Sequence, residues 1–254
     1  FANYWKEGRA WFDEVETRCI ADVNARTTAL QTGEIDAMAF VDTTTADLLA
    51  SAPGLKLIQT KGKQHYAFSM NCKDPLFTDP NVRMAMKLAI DRQEMLDKIL
   101  SGRGSIANDQ PISGAYEYHN PNLEQHSYDP EKAKVLLEKA GVAGLTVPLH
   151  VADTPFTGAT NMAQLYADQA AKAGITIEVR RESDDGYWSS IWGKRPMFAT
   201  KWSGRVNKDV MLTTAYAREA IGGWNETSWD NAAFNTALVA ARGEKDEARR
   251  KELY

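Results

Sequence analysis

A chain of 254 residues and 28.2 kDa, 43% hydrophobic and 25% charged, has the balance of an ordinary globular protein, which excludes disorder and collagen and leaves room for one large domain or two modest ones. Thirty basic against 34 acidic side chains give a formal charge of −4, the wrong sign for counterion-release binding to a nucleic acid, and no apolar stretch approaches the ~20 residues that cross a bilayer. The chain opens Phe1-Ala2-Asn3-Tyr4, without a methionine and without a tripartite export signal, so it reads as having lost its natural beginning, which leaves a processed export signal open.

From the start, helices and strands alternate. Asp22 is placed to cap a helix over about 23–32 that closes at Gly33, where glycine most cheaply adopts a left-handed backbone. Ile35 to Val41 reads as a strand. Thr44 and Asp47 have capping-box-like spacing ahead of Leu48 and Leu49, Pro53-Gly54 stops that helix, and Leu55 to Gln59 reads as a second strand. Residues 64–70 form a half-buried strand with Tyr66, Phe68 and Met70 on one face and His65, Ala67 and Ser69 on the other. Asp79-Pro80 supplies an N-cap and a first-turn proline, and Val82, Ala85, Met86, Ala89 and Ile90 then repeat along one helical face. Asp91 with Glu94 caps a further helix running to Leu100 before Gly102.

Residues 101–128, rich in Gly, Pro, Asn and Tyr and without periodicity, read as a long ordered loop of the kind that often serves function. Beyond it, Asp129-Pro130 starts a helix that closes at Gly141. A strand follows over Leu145 to Val151, then a helix over Ala163 to Ala173, a strand over Ile175 to Val179, a helix near Gly186 to Trp192 and a strand over Met197 to Trp202. The alternation argues for an α/β lobe. Trp229 to Arg242 is helical, Asp246 caps a last helix through Leu253, and no glycine, asparagine or proline ends it, so both ends of the chain read as cut from something longer.

Catalytic motifs are largely missing. His65, His119, His126 and His150 show no metal-ligand spacing, and Cys19 and Cys72 fit half-buried apolar positions better than a disulfide framework or a ligand pair. No nucleophile elbow, phosphate loop or dinucleotide fingerprint is present; Gly102-Arg103-Gly104 follows a helix where the fingerprint requires a strand. Adjacent Asp184 and Asp185 fit the positive end of a helix better than general acid-base work. No catalytic residue, metal or cofactor is expected.

The unusual feature is an aromatic run: Tyr187, Trp188, Trp192, Phe198, Trp202, Tyr216, Trp224 and Trp229. At least half fit simple packing, yet Lys194, Arg195 and Arg205 are interleaved with them. In the turn Ser203-Gly204-Arg205 a glycine permits close approach of backbone and ligand, and a planar guanidinium offers paired donors that match a carboxylate. The structural alternative is an Arg205 salt bridge with a neighbour such as Asp209.

Several segments, in order, resemble the family 5 extracellular solute-binding proteins, the peptide, opine and nickel-binding class that serves ABC importers. They are Asn3-Tyr4-Trp5 with Asp13-Glu14-Val15; Asp22 to Arg26 with Ala29 to Asp36; Phe68 to Asn71 with Pro75, Phe77, Asp79, Val82-Arg83, Ala85 and Ala89 to Arg92; Tyr128-Asp129-Pro130 with Ala133, Leu136-Leu137 and Ala140-Gly141; and Asp246, Ala248 to Arg250 and Leu253-Tyr254.

The resemblance implies an α/β fold of the type II periplasmic-binding-protein kind. Residues 1–66 would belong to an incomplete first lobe and 67–254 to the second, without its return to the first. It implies an exported, periplasmic, monomeric binding protein that captures a small solute, peptide-like or anionic and opine-like, and delivers it to a membrane permease. A ligand sensor or chaperone-like module on the same fold is the alternative, with a hydrolase behind both. In peptide-binding members, an aspartate that pairs with the peptide ammonium stands where this chain has Arg205, in the segment Trp202 to Asn207, so an anionic ligand group is expected there. Trp202 matches the tryptophan of that motif and would wall the pocket, and Ser203 and Gly204 of the same turn are expected among the ligand-binding residues. The resemblance places Asn225 at a polar cleft position and Lys194 and Arg195 in a basic cleft stretch.

Overall fold

The computed structural model describes residues 4–9, 11–20 and 22–254. The expected contributions of Phe1, Ala2 and Asn3 therefore lie outside the described residues. The chain divides into two compact units, Phe1–Leu57 and Ile58–Tyr254.

The first unit holds helices α1 (Val23–Gln31) and α2 (Ala46–Ala50). The Asp22 carboxylate accepts the amide of Ala25 at 2.7 Å, and Gly33 takes its left-handed turn at φ 74°, as the spacing predicts. Helix α2 differs from its expected capping box. Its N-cap is Thr45, without a side-chain bond, while Thr44 bonds Asp42 through both amide and hydroxyl. Neither 35–41 nor 55–59 forms a strand. An extended run becomes a strand only beside a ladder partner, and among the described residues no segment pairs with either.

The second unit is built on a four-stranded sheet of order β1-β4-β2-β3. Its strands are β1 (His65–Met70), β2 (Thr146–Val151), β3 (Thr176–Arg181) and β4 (Met197–Trp202). β2 runs parallel to β3 and to β4, and β1 runs antiparallel to β4 with His65 opposite Trp202 and Met70 opposite Met197. The pleat sorts side chains between two faces. Tyr66, Phe68, Met70, Met197 and Ala199 join a core with α3 (Pro80–Leu88), α5 (Pro130–Lys139) and α6 (Ala159–Ala171). There Tyr66 stacks on Phe156 with centroids 4.2 Å apart and Phe68 on Tyr166 at 5.7 Å. The opposite face carries His65, Ser69, Phe198, Thr200 and Trp202, and a second set of aromatic residues covers it.

The helices start where their caps say. Asp79 accepts Asn81 at 2.7 Å, Asp129 accepts Lys132 at 2.9 Å and Asp91 accepts Glu94 at 3.0 Å, the last opening α4 (Arg92–Ile99). The reciprocal half of the Asp91 box comes from another helix. Gln169 on α6 accepts the Asp91 amide at 2.9 Å, while the Glu94 carboxylate accepts Gln169 Nε2 at 2.7 Å. α6 begins four residues before the predicted Ala163, because Gly158 in a left-handed conformation at φ 85° opens it.

α7 (Tyr187–Ser190) is likewise opened by Gly186 and not by Asp184 or Asp185. Asp184 instead accepts the amide of Thr154 at 2.8 Å and its hydroxyl at 2.7 Å, joining the loops that follow β2 and β3. Helix α8 (Lys208–Ala215), capped by Asn207, was not expected. α9 (Ala232–Gly243) and α10 (Glu247–Leu253) complete the chain. Cys72 is half-buried as expected, whereas Cys19 is exposed.

Candidate functional site

Ligands of open α/β sheets gather beyond the carboxyl ends of parallel strands. β4 ends there at Trp202, and the antiparallel β1 begins there at His65. The turn Ser203-Gly204-Arg205 leaves β4 tightly against the segment before β1. A Cβ on Gly204 would lie 2.6 Å from that of Lys63, closer than carbon atoms can approach, so only glycine fits. The Lys63 amine donates to the carbonyl of Val206 at 3.1 Å and lies 4.7 Å from the Tyr116 ring centroid.

Tyr116 comes from the long loop between α4 and α5, and its hydroxyl accepts the Arg205 amide at 2.8 Å. That loop is fixed from within. Asn108 donates to the carbonyl of Glu124 at 2.8 Å and accepts the His126 amide at 3.0 Å, and Asp109 meets Arg92 at 2.7 Å and His126 at 2.6 Å. Burial acts to raise the Asp109 carboxyl, but Arg92, Lys87 and His126 together hold it below the usual carboxylate range.

Arg205 is half-buried, with its guanidinium 5.2 Å from the Trp202 ring centroid and Nη1 donating to the Ser203 carbonyl at 3.1 Å. It does not pair with Asp209. That carboxylate is taken by Arg242 at 2.8 Å and Tyr254 at 3.2 Å, so among the described residues the Arg205 guanidinium has no carboxylate partner. Trp202 itself is 4% exposed and lies beneath the arginine; within the aromatic run from Tyr187 to Trp229 the open indoles are Trp224, 58% exposed, and Trp188, 43%. Edge-on and tilted contacts link Trp188, Trp192, Trp224 and Trp202, with successive centroids 6.3, 5.7 and 6.0 Å apart.

Three predicted residues remain. Asn225 is buried and its amide donates to the carbonyls of Tyr216, Ala217 and Trp229, which makes it the staple of its own loop. Lys194 is exposed and donates to the Ser189 carbonyl at the end of α7, and Arg195 is exposed.

Sequence reasoning missed Glu226. This carboxylate is 6% exposed and accepts from Ser69 at 2.7 Å, Thr200 at 3.0 Å, Trp202 Nε1 at 3.2 Å and Trp192 Nε1. Burial raises its pKa, and the donors work against that rise. Its signal in the sequence was only an acidic residue in an aromatic run. Nearby, His65 is pushed down to about 4 by burial and is neutral, with Nε2 3.3 Å from the Tyr216 hydroxyl. Among the described residues no group of three His, Cys, Asp or Glu side chains is arranged to hold a metal ion.

The fold is that of an α/β protein of the periplasmic-binding class, as two solved structures show. The PBP AgaA of A. tumefaciens R10, solved with agropinic acid, superposes with a TM-score of 0.85 at 26% identity, over 100% of this chain and 52% of that one. DppA of Helicobacter pylori, an ABC transporter-associated periplasmic binding protein in complex with the peptide STSA, gives 0.83 at 25% identity, over 93% and 47%. Heme-binding protein A of Haemophilus influenzae is 28% identical over 260 residues, 99% of this chain and 47% of that protein. The chain belongs to the bacterial extracellular solute-binding proteins, family 5, whose middle region matches residues 1–224. It spans about half the length of the relatives it matches.

Proposed function

We propose that the chain is part of the substrate-binding component of an ABC importer, exported and acting as a monomer, which captures a small solute and delivers it to a membrane permease. Residues 1–66 would contribute to one lobe and 67–254 would form most of the other, with closure driven by ligand contacts from both. No bond is made or broken in this reading. Its support is the family membership together with a sheet-end turn in which an arginine is fixed but uncommitted.

Arg205 is the proposed anchor for an anionic ligand group. The observation that carries this is its guanidinium over Trp202, its backbone amide tied to Tyr116, and the Asp209 carboxylate engaged by Arg242. The relatives are named or solved with heme, a tetrapeptide and agropinic acid, all of which bear carboxylates.

Titration calorimetry of the full-length protein with these three compounds, wild type against Arg205→Ala, tests the anchor. Removing one partner of a buried charge pair costs ~2–5 kcal/mol, so binding should weaken at least about 30-fold. Unchanged affinity for whichever compound binds would remove Arg205 from the site. Mass spectrometry of ligand carried through purification then identifies the natural solute.

A further inference from the structure

This inference deepens the reading of Arg205 as ligand anchor and rests on it. On the sheet face behind that arginine, Glu226 is a buried carboxylate held by uncharged donors alone: Ser69 from β1, Thr200 and Trp202 from β4, and Trp192 from the segment after α7. Among the described residues no lysine, arginine or histidine pairs with it. The titratable groups on this face include the hydroxyls of Tyr187 and Tyr216, raised chiefly by burial, and His65 on β1, opposite Trp202 and 3.3 Å from the Tyr216 hydroxyl, pushed down to about 4 by burial. An uncompensated buried anion is expensive to keep where packing alone would serve.

Its geometry shows what it reaches. The indole N–H lies in the ring plane, so Glu226 meets Trp202 at its edge while the Arg205 guanidinium lies over the ring face, 5.2 Å from its centroid. An anion accepting the N–H pushes electron density into the ring, and a cation over the face is attracted by that density. The Trp192 indole is bonded to the same carboxylate, and Trp192 and Trp202 both lean on the exposed Trp224.

We propose that Glu226 is a positioning residue for Arg205: by holding the Trp202 indole at its edge and charging its face, the carboxylate keeps the guanidinium in the attitude that presents it to an anionic ligand. Ligand specificity at this turn would then depend on a carboxylate that the ligand never touches.

Nuclear magnetic resonance of the ligand-free protein tests this without knowledge of the solute. The Nε–H signals of Trp192, Trp202 and Arg205 are followed through a pH titration of the wild type and compared with Glu226→Gln. The expected result is a shared midpoint for all three signals above the usual glutamate range, with the ring-current shift of the Arg205 signal reduced at the acid end and reduced at every pH in the variant.

An Arg205 signal that stays fixed while the indoles titrate overturns the proposal, as does the absence of any common titration. If the variant does not fold, the wild-type titration decides alone. Failure of the anchor reading is separately visible, because the Arg205→Ala calorimetry measures ligand affinity and these spectra do not.

Discussion

Glu226→Gln changes one atom and separates two effects by pH. In the wild type, each carboxylate oxygen faces one hydroxyl and one indole: Oε1 takes Ser69 and Trp202, and Oε2 takes Thr200 and Trp192. A protonated Glu226 still satisfies this set. Its proton turns toward Ser69 or Thr200, whose hydroxyl rotates to accept, and the protonated oxygen keeps a lone pair for its indole.

The glutamine amide has no such freedom. Whichever way it flips, its NH2 confronts one indole N–H, and neither can accept. A buried donor left in this state costs ~1–3 kcal/mol.

Opposing this is the wild type's own burden. Burial raises the folded pKa of Glu226 above its unfolded value, so the carboxyl's contribution to stability is complete below the unfolded pKa and is lost as pH rises through the folded one. Glutamine does not titrate. The stability gap should therefore stand at ~1–3 kcal/mol near pH 4 and narrow toward pH 8. Urea unfolding followed by circular dichroism at closely spaced pH values measures it. A gap that is absent at the acid end, or that widens as pH rises, refutes the account of the donor set.

Three further outcomes are expected. Gly204→Ala places a Cβ 2.6 Å from that of Lys63, part of a side-chain root that cannot swing aside, and should cost ~1–3 kcal/mol in urea unfolding while releasing the Arg205 amide from Tyr116. Asp109→Asn removes the carboxylate that Arg92, Lys87 and His126 share, at ~1–3 kcal/mol near neutrality. Because that carboxyl's folded pKa lies below its unfolded value, the deficit should shrink as pH falls through the folded pKa, seen as converging thermal midpoints. Tyr166→Phe deletes a buried hydroxyl that donates to the Met86 carbonyl at 2.7 Å; it should cost ~1 kcal/mol and leave the indole spectra of the opposite sheet face unmoved.

Local chemistry made the fold legible wherever one residue decides an element's start. Asp22, Asp79, Asp91, Asp129 and Asp246 cap as their spacing predicts, and Met197–Trp202 is a strand at both predicted limits. Reading failed where partners decide. Ile35 to Val41 is apolar enough for a strand but has no ladder to join. Asp184 bonds Thr154, 30 residues away, in preference to a helix end next to it.

The site divides in the same way. The sequence marked Ser203-Gly204-Arg205 as a turn where a glycine permits close approach, but not that the close neighbour is Lys63 or that the guanidinium lies over Trp202, since both contacts come from the folded sheet end. Nothing local distinguished Glu226 from a solvent-facing acid, because its partners lie on β1, on β4 and beyond α7. The role of Asn225 inside its own loop was equally hidden: a polar residue in an aromatic loop shows nothing of its three carbonyl partners until the loop is folded.

The bond between Ser69 and Glu226 joins positions 157 residues apart, and β1 completes its ladder only with β4, more than a hundred residues downstream. The helices α3 to α6 can begin to pack while the first strand still waits for its neighbour. Long-range pairing of this kind slows folding, since the entropy of closing the intervening chain is lost before any contact compensates it. The turn that bears Arg205 should thus be among the last regions to acquire native order, and a chain truncated before residue 226 would carry the arginine without the carboxylate beneath its tryptophan.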